Sequence, residues 1–281
     1  MDRLRFGTAG IPLSTRKPAG KESRTLLGIE RVRELGLESM EIEFVRSVNV
    51  SAEVAPRAKE LARKNDVVLT SHGQYFVNLN ATDKGTLAAS RKRILDACRR
   101  ASECGAWSIC YHAAYYMKMP AEQYYPNVRD QLASLTKQLR DEGVKIWLRP
   151  EYGGKLSQFG DLKELIRVAQ DVEGVAPCID WAHAYARSLG KLCNAKHFGE
   201  MLAEMEKGLG REALDNMHCH AEGIAFGDTG ERNHLNFSEC KLDPRELIRA
   251  WKEYRIKGVI TCESPSIEGD ALVLKRLWDK N

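Results

Sequence analysis

Gly174-Val175-Ala176-Pro177-Cys178-Ile179-Asp180-Trp181-Ala182-His183 is the stretch around which the rest of the sequence is arranged. An apolar run ends in an acid, and a histidine follows three residues later. The run predicts a buried strand with Asp180 at its carboxyl end, where parallel α/β proteins place their functional groups. Carboxylate and imidazole together bind borderline divalent metals such as zinc. Taken alone, the pattern also fits an Asp180 that caps the next helix and a His183 on the surface.

Seven other strand-like runs surround this stretch and alternate with helical segments along the whole chain. Regular alternation over this length predicts an α/β protein, a TIM (β/α)8 barrel that forms a single domain over residues 1–281. An open doubly wound sheet is disfavoured, because Gly7-Thr8-Ala9-Gly10 lacks the GxGxxG spacing of a phosphate turn. The predicted strands are 4–9, 40–45, 66–72, 106–112, 144–151, 174–180, 214–220 and 258–263. The predicted helices are 22–38, 51–64, 82–104, 120–142, 159–172, 195–209, 244–254 and 267–279. Residues 221–240 are predicted to be a long loop.

The composition is that of an ordinary globular protein. The 281 residues are 43% hydrophobic and 29% charged, and the net charge of +4 comes from basic residues spread along the chain. The charge alone therefore does not argue for a polyanionic partner. No run approaches the roughly 20 apolar residues of a membrane span. The eight cysteines form no CxxC pair and no secretory signal opens the chain, so we expect a reduced, cytoplasmic protein.

Six of the predicted strands end in a side chain that can bind a metal. In a closed barrel all six would point from the same carboxyl-terminal rim. Apolar strands tolerate charged ends only where these are paired, solvated or bound to a metal, so the coincidence predicts a metal site. The six residues are His72, His112, Glu151, Asp180, His218 and Glu263.

Three histidines and three carboxylates exceed the ligand set of one tetrahedral ion. Two ions about 3.5–4 Å apart, bridged by a carboxylate, suit the hydrolysis of a phosphodiester. One or two hard ions held mainly by carboxylates would instead suit the isomerisation of a sugar. The share of histidine favours zinc over magnesium.

With these residues in place, the chain resembles the endonuclease IV family, the metal-dependent apurinic/apyrimidinic endonucleases of the xylose-isomerase-like TIM barrels. The resemblance runs from about Leu4 to the last helix. Single motifs are weak, but their order and spacing are specific. The motifs are His72-Gly73-Gln74-Tyr75-Phe76-Val77-Asn78, Tyr111-His112, Glu151 with its glycine loop up to Phe159-Gly160, Cys178-Ile179-Asp180-Trp181-Ala182-His183, Met217-His218, Gly230-Glu231-Arg232-Asn233-His234 and Glu263-Ser264-Pro265.

The resemblance implies three zinc ions at the rim, or two if the third site is empty, with Mn2+ as an alternative metal. The ligands that it implies are, for the first ion, His72, His112 and Glu151; for the second, Glu151 as a bridge with Asp180, His218 and Glu263; and for the third, His183 with Glu231 and His234.

The third site is where the chain departs from the family pattern Asp-Arg-His. A gapless match gives Glu231-Arg232-Asn233, and the nearest imidazole comes one place later at His234. The alternatives are a site closed by the longer acid and the shifted histidine, and a weak or empty site. His220 is a further imidazole without an assigned place.

Other polar and aromatic residues near the strand ends receive weaker interpretations. Glu41 and Glu43 are interpreted as strand-face residues, or as supports of the ligands, rather than as ligands. Tyr75 and Phe76 match part of the loop set with which the family opens DNA, although a loop that packs on the barrel fits them equally well. Arg46 is a candidate DNA contact.

The leading hypothesis is a monomeric zinc-dependent endonuclease that cuts double-stranded DNA 5′ to abasic sites, with Glu151 as the catalytic bridging ligand. DNA would be bound through its phosphates, with the damaged nucleotide turned out into the pocket. The alternative is a metal-dependent sugar or keto-acid isomerase or epimerase, in which two carboxylates move protons. Such an enzyme would not need the third ligand set. A metal-binding barrel that has lost its activity is the third hypothesis.

Overall fold

Eight parallel strands form a barrel surrounded by helices, as the alternating pattern predicts. The structure is a computed structural model and describes residues 1–280. The barrel strands are β1 (Leu4–Ala9), β2 (Ser39–Glu43), β3 (Val68–His72), β4 (Ser108–Tyr111), β5 (Trp147–Pro150), β6 (Cys178–Asp180), β7 (Met217–His220) and β10 (Gly258–Cys262). The helices are α1 (Arg24–Glu34), α2 (Ala55–Lys64), α3 (Lys84–Glu103), α4 (Ala121–Asp141), α5 (Leu162–Asp171), α6 (Trp181–Arg187), α7 (Ala195–Leu209), α8 (Arg211–Asp215), α9 (Pro244–Glu253) and α10 (Glu268–Asp279).

The strands follow one another in the order β5-β4-β3-β2-β1-β10-β7-β6. The wall closes between β5 and β6 through two isolated parallel bridges, Leu148 to Val175 and Glu151 to Cys178. Three backbone hydrogen bonds of 2.9–3.1 Å span this junction, from the amides of residues 148, 152 and 176. This junction therefore has two paired positions, against four between β4 and β5 and three between β6 and β7.

Several helices begin at a side chain that caps their first turn. The carboxylate or amide oxygens of Asp83, Asp161, Asp180, Asn194 and Asp243 each accept a hydrogen bond from a backbone amide of the helix that follows. Asp180 therefore does cap the short helix α6 that follows β6. This role uses one of its two oxygens only.

The main hydrophobic core lies between the barrel wall and the helices. Its largest fully buried side chains include Trp181, Trp251, Phe6 and Phe198, and the two indole rings lie 6.1 Å apart. Four cysteines predicted on strands are buried there or in the barrel wall, namely Cys110, Cys178, Cys219 and Cys262.

The inside of the barrel is polar, in contrast to the branched aliphatic layers typical of this fold. Glu41, Thr70, Ser108 and His218 are all buried within it at 0% exposure. The hydroxyl of Thr70 donates to Oε2 of Glu41 at 2.8 Å. A carboxylate buried this deeply requires such partners, so the interior is built to hold charge beneath the rim.

Residues 221–240 are not a loop throughout, which corrects the prediction for this segment. Gly223–Gly227 (β8) and Gly230–Leu235 (β9) form an antiparallel hairpin, and a short 3-10 turn follows at Phe237–Glu239. β9 is polar and partly exposed, so it lacks the apolar alternation that identifies a strand. The hairpin packs against α6 and so carries its polar residues to the rim.

No helix within residues 1–280 is both long enough and apolar enough to cross a membrane.

Candidate metal centre

Glu151 lies at the centre of the rim, immediately after β5, and is 1% exposed. Its two carboxylate oxygens face different sets of side chains. Oε2 lies 3.4 Å from Nε2 of His72 and 3.5 Å from Nδ1 of His112. Oε1 lies 3.1 Å from Nδ1 of His220 and 3.4 Å from Nδ1 of His183. One carboxylate thus faces two pairs of imidazoles, one pair through each oxygen, and the pairs adjoin each other, with the His112 and His183 rings 5.3 Å apart.

The first group consists of His72 and His112, which follow β3 and β4 at neighbouring places on the rim. Nδ1 of His72 lies 2.7 Å from the carbonyl oxygen of Gly73. Because a carbonyl only accepts, Nδ1 carries a proton there and Nε2 is directed at Glu151. Such a backbone contact is typical of the way that proteins orient metal-binding histidines.

The second group contains Asp180, His220 and Glu263, together with Glu151. One ligand atom from each of these four residues lies within 4.8 Å of the others. Nδ1 of His220 is 3.6 Å from Oε2 of Glu263 and 4.0 Å from Oδ2 of Asp180. Three carboxylates and one imidazole form a complete ligand set for a divalent cation.

His220, rather than His218, completes this second group, which differs from the expectation. The pairing of β6 with β7 places His220 opposite Asp180 and His218 opposite Cys178, so His218 lies one layer deeper in the barrel. Both of its ring nitrogens have protein partners, Nε2 at 2.6 Å from Oε2 of Glu41 and Nδ1 at 2.9 Å from the hydroxyl of Ser108. His218 therefore belongs to the polar interior beneath the rim.

The third group consists of His183 with Glu231 and His234 beside it, the residues that the resemblance implies for the third ion. Nε2 of His183 lies 3.6 Å from Oε2 of Glu231, and the His183 and His234 rings are 5.6 Å apart. Gly154 makes room for them, because a Cβ there would lie 2.7 Å from Oε2 of Glu231 and 2.8 Å from the His183 ring. Asn233 is exposed and its amide donates to the carbonyl of His234, so it takes no part.

The charges of the centre shift the pKa values of its members strongly. Burial acts to raise the pKa of Glu151, but the surrounding histidines, His112 first, outweigh it and hold that pKa well below its ordinary value. Burial acts to lower the pKa of His183, but Asp180 and the neighbouring glutamates raise it to about 10. Burial lowers the pKa of His112 to about 4. The neighbouring carboxylates and imidazoles therefore determine which members of the centre are charged, and such strong mutual shifts are typical of functional sites.

Several buried polar atoms of the centre have no hydrogen-bond partner among the described residues. A buried polar atom without a partner costs about 1–3 kcal/mol, and so many in one place is unusual in a folded protein. Metal ions bound between them would satisfy all of them at once, so the residues present fit a metal centre. The atoms are Nδ1 of His112, Oε2 of Glu151, Oδ2 of Asp180, Nε2 of His183 and both carboxylate oxygens of Glu222.

Two residues of the centre were missed or left unplaced by sequence reasoning: Glu222 and His220. A detectable signal existed, because His218, His220 and Glu222 recur with the period of two that directs strand side chains to one face. The depth of each residue along the barrel axis, however, depends on the pairing between strands. Glu41 lies beneath the rim with Oε1 2.9 Å from Nε2 of His220, which agrees with a supporting role.

The rim loops around the centre are ordered by a single guanidinium group. Nη1 of Arg187 donates to the carbonyls of Gly153, Lys155 and Gln158 at 2.7–3.2 Å, and Nη2 donates to the hydroxyl of Tyr116 at 2.8 Å. α6 is thereby tied to the loop that follows Glu151. The position of Gly154, and with it the third group, depends on this contact.

Tyr75 and Phe76 lie on the loop after β3 and are 55% and 68% exposed. The Tyr75 ring approaches the ring of His72, with centroids 5.8 Å apart. The carbonyl of Phe76 accepts a hydrogen bond from Arg93 at 2.9 Å. The loop therefore packs beside the centre while its two aromatic rings remain available to a ligand. Arg46, after β2, is also exposed.

The fold and the polar rim define a metal-competent (β/α)8 barrel, and comparison with known proteins specifies its family. The model of the xylose isomerase-like TIM barrel family matches residues 29–277. The chain belongs to this family. It is 33% identical to an uncharacterized protein of Methanocaldococcus jannaschii over 277 residues, which cover 99% of this chain and 97% of that protein. It is 25% identical to a probable endonuclease 4 of Campylobacter concisus over 215 residues, which cover 74% of this chain and 75% of that protein.

Solved structures with the same fold have different activities in their names. Endonuclease IV from Thermus thermophilus superimposes with a TM-score of 0.72 at 19% identity, over 97% of both chains. A D-tagatose 3-epimerase-like protein superimposes with a TM-score of 0.70 at 20% identity, over 97% of this chain and 96% of that one. At these identities the likeness concerns the fold alone, and the choice of reaction depends on the residues of the rim.

Proposed function

We propose that this protein is a zinc-dependent endonuclease that hydrolyses the DNA phosphodiester 5′ to abasic sites. The observation that carries the proposal is the placement of Glu151, whose two oxygens face two sets of imidazoles. A carboxylate in that position can bridge two ions. Two neighbouring ions suit an in-line displacement at phosphorus, whereas the isomerisation of a sugar can proceed with one or two.

Each group of side chains has a defined task in this reaction. Glu151 would keep the two ion positions in register, His72 and His112 would hold the first ion, and Asp180 and His220 would hold the second. Zinc held by these residues would supply an activated water and would neutralise charge on the phosphate. The orientation of His72 by the carbonyl of Gly73 keeps its Nε2 directed at the ion position.

The surroundings of the rim support a substrate with exposed apolar surfaces. Six of the seven large hydrophobic side chains that are exposed among the described residues lie in segments between a barrel strand and the next long helix. Five of them directly follow the strand and Leu189 follows the short helix α6, whereas Trp147 lies on β5 itself. Aromatic and aliphatic side chains of this kind stack on bases or fill the place of a missing base. The six are Leu13, Tyr75, Phe76, Met117, Leu156 and Leu189. The similarity to a probable endonuclease 4 agrees with this substrate.

The test is the cleavage of a duplex with one abasic site by metal-loaded protein, by chelator-stripped protein and by Glu151→Gln. We expect incision 5′ to the lesion by the loaded protein only. Glu60→Gln is the matched control, because Glu60 is an exposed residue of α2 that pairs with Arg63. Protein that demonstrably holds two or more ions and leaves the duplex intact would refute the proposal.

A sugar or keto-acid epimerase is the second candidate, and one observation favours it. The group of Glu151, Asp180, His220 and Glu263 by itself provides a site for one ion with two glutamates that could move protons. The substitution His72→Gln separates the two candidates. It should abolish DNA incision, whereas an epimerase that uses only the four-residue group should keep most of its turnover of a ketohexose.

A further inference from the structure

Glu222 is a buried carboxylate that neither the sequence reasoning nor the proposed reaction uses. It lies two residues beyond β7, between that strand and the hairpin of β8 and β9. Its exposure is 0%, and neither carboxylate oxygen has a hydrogen-bond partner among residues 1–280. Burying a carboxylate without a partner is strongly unfavourable. The position therefore requires either a proton or a cation.

The neighbours of Glu222 make a simple ion pair an insufficient explanation. The negative charges of Asp180 and Glu263 repel that of Glu222, while the imidazole of His220 attracts it. Nδ1 of His220 already faces Glu151 at 3.1 Å, and its Nε2 faces Glu41 at 2.9 Å. Glu222 is thus a third acid beside Asp180 and Glu263, and the imidazole of His220 already contacts two other carboxylates.

Two other imidazoles complete a ligand set around Glu222. One ligand atom each of His183, Glu222 and His234 lies within 4.8 Å of the other two. Nε2 of His183 is buried and also lacks a hydrogen-bond partner, while its Nδ1 lies 3.0 Å from the carbonyl of Tyr152. Nδ1 of His234 lies 3.3 Å from the carbonyl of Glu263. Both imidazoles are therefore oriented through Nδ1, which leaves Nε2 for a ligand.

From this geometry we infer that Glu222 is a metal ligand, which holds the outermost ion of the rim together with His183 and His234. Two imidazoles and a carboxylate are typical ligands of zinc and of similar borderline divalent ions. The inference rests on the metal-dependent part of the proposed function, but not on DNA as the substrate.

Glu231 then has a different task from the one that the resemblance implies. Its side chain is partly exposed and approaches His183 from the hairpin at 3.6 Å, whereas Glu222 approaches from the barrel side. The outermost ion would thus have an inner carboxylate from the end of β7 and an outer one from β9. Solvent cannot donate hydrogen bonds to the inner carboxylate, Glu222, because both of its oxygens are fully buried.

The test is the number of zinc ions per chain, measured by elemental analysis after dialysis against a zinc buffer of fixed free concentration. We expect Glu222→Gln to hold one ion fewer than the wild-type protein and to keep the ions at Glu151. Glu239→Gln, on the 3-10 turn beyond the hairpin, is the matched control and should keep the wild-type number. An unchanged number of ions and unchanged zinc affinity in Glu222→Gln would overturn the inference, as would the loss of every ion from a folded variant.

A second pair of variants keeps the inference testable if Glu222→Gln does not fold. Glu222→Asp retains the charge but shortens the side chain. It should therefore lower the affinity for one zinc ion by about tenfold or more, the usual effect of perturbing a metal site. His234→Gln alters a partly exposed residue and should release the same ion. In the double variant the effects should not add, because both changes act on one site. Additive losses of two ions would contradict a shared site.

The failure of this inference can be told from the failure of the proposed function. A wild-type protein that binds no divalent ion at all would refute the metal-dependent endonuclease and the role of Glu222 together. A protein that loses one ion on substitution of Glu222, yet does not cut abasic DNA, would support the ligand role and refute only the substrate.

Discussion

Nε2 of His220 lies 2.9 Å from Oε1 of Glu41, while Nδ1 of the same ring lies 3.1 Å from Oε1 of Glu151. One imidazole therefore connects the buried carboxylate beneath the rim with the carboxylate at its centre. A carboxylate beside the second nitrogen of a metal-binding histidine fixes the orientation of the ring and increases its basicity. Glu41 is fully buried, so solvent does not screen this effect.

Substitution of Glu41 should weaken the metal centre without removing a ligand. We expect Glu41→Gln to lower zinc affinity by about 10- to 100-fold, the usual effect of removing such a support. Competition with a chromophoric chelator would measure it. Ser108→Ala is the comparison variant, because Ser108 contacts His218 and not His220, and it should change the affinity much less. Equal effects of the two variants would contradict a specific role of Glu41.

Substitution of Gly154 should fill the space of the third group. A methyl group there would lie 2.7 Å from Oε2 of Glu231 and 2.8 Å from the His183 ring. We expect Gly154→Ala to lose the outermost ion and to destabilise the protein by about 1–3 kcal/mol, as overpacking does. Zinc content and urea unfolding would measure the two effects. Gly85→Ala, on the first turn of α3, adds a methyl group that meets only Asp83 and should leave the zinc content unchanged.

Substitution of Arg187 should loosen the loop that follows Glu151. The ammonium of a lysine cannot reproduce four hydrogen bonds in the directions that the guanidinium serves. We expect Arg187→Lys to cost about 1.5–3 kcal/mol of stability and to speed trypsin cleavage after Lys155. Arg63→Lys alters an exposed pair with Glu60 and should cost less than about 1 kcal/mol. Unchanged cleavage in Arg187→Lys would show that the loop is held by other contacts.

Zinc affinity should rise with pH across the neutral range. In the metal-free protein the pKa of His183 is raised to about 10 because Asp180 and nearby glutamates outweigh its burial, so its imidazole is protonated at pH 7. Zinc needs the lone pair of Nε2, so its binding must expel this proton. Calorimetry in two buffers of different ionisation enthalpy would detect the released proton. Zinc binding that is independent of pH between 6 and 8 would contradict this arrangement.

The barrel and most of the centre could be predicted because their signals are local. Six of the predicted strands end in a side chain that can bind a metal after an apolar run, and the closed fold alone then brings residues such as His72 and Asp180 to one rim. The place of His112 beside Glu151 also follows from this rule. No knowledge of the pairing between strands was needed for these residues.

The remaining residues could not be predicted for two reasons. Some are assigned only by their depth along the barrel axis, and others lie on a polar strand that the sequence pattern does not identify. His218 and His220 point to the same face of β7, and only the pairing of His220 with Asp180 shows which of them reaches the rim. Glu222 lies beyond the strand end, where the apolar pattern has stopped. The hairpin that carries Glu231 and His234 has no apolar alternation, so its strands resemble a loop in the sequence.

The junction of β5 and β6 has a consequence for how the molecule unfolds. The junction has only two isolated bridges, fewer than the paired positions of β4 with β5 and of β6 with β7, so we expect it to open more readily than these two neighbours. Glu151 and Asp180 lie on opposite sides of this junction, and an ion bound by both residues would hold β5 and β6 together. Hydrogen exchange at residues 148, 152 and 176 should therefore slow markedly on zinc binding, more than exchange within the longer pairing of β1 and β10. The centre that would perform the reaction would then also keep the barrel shut.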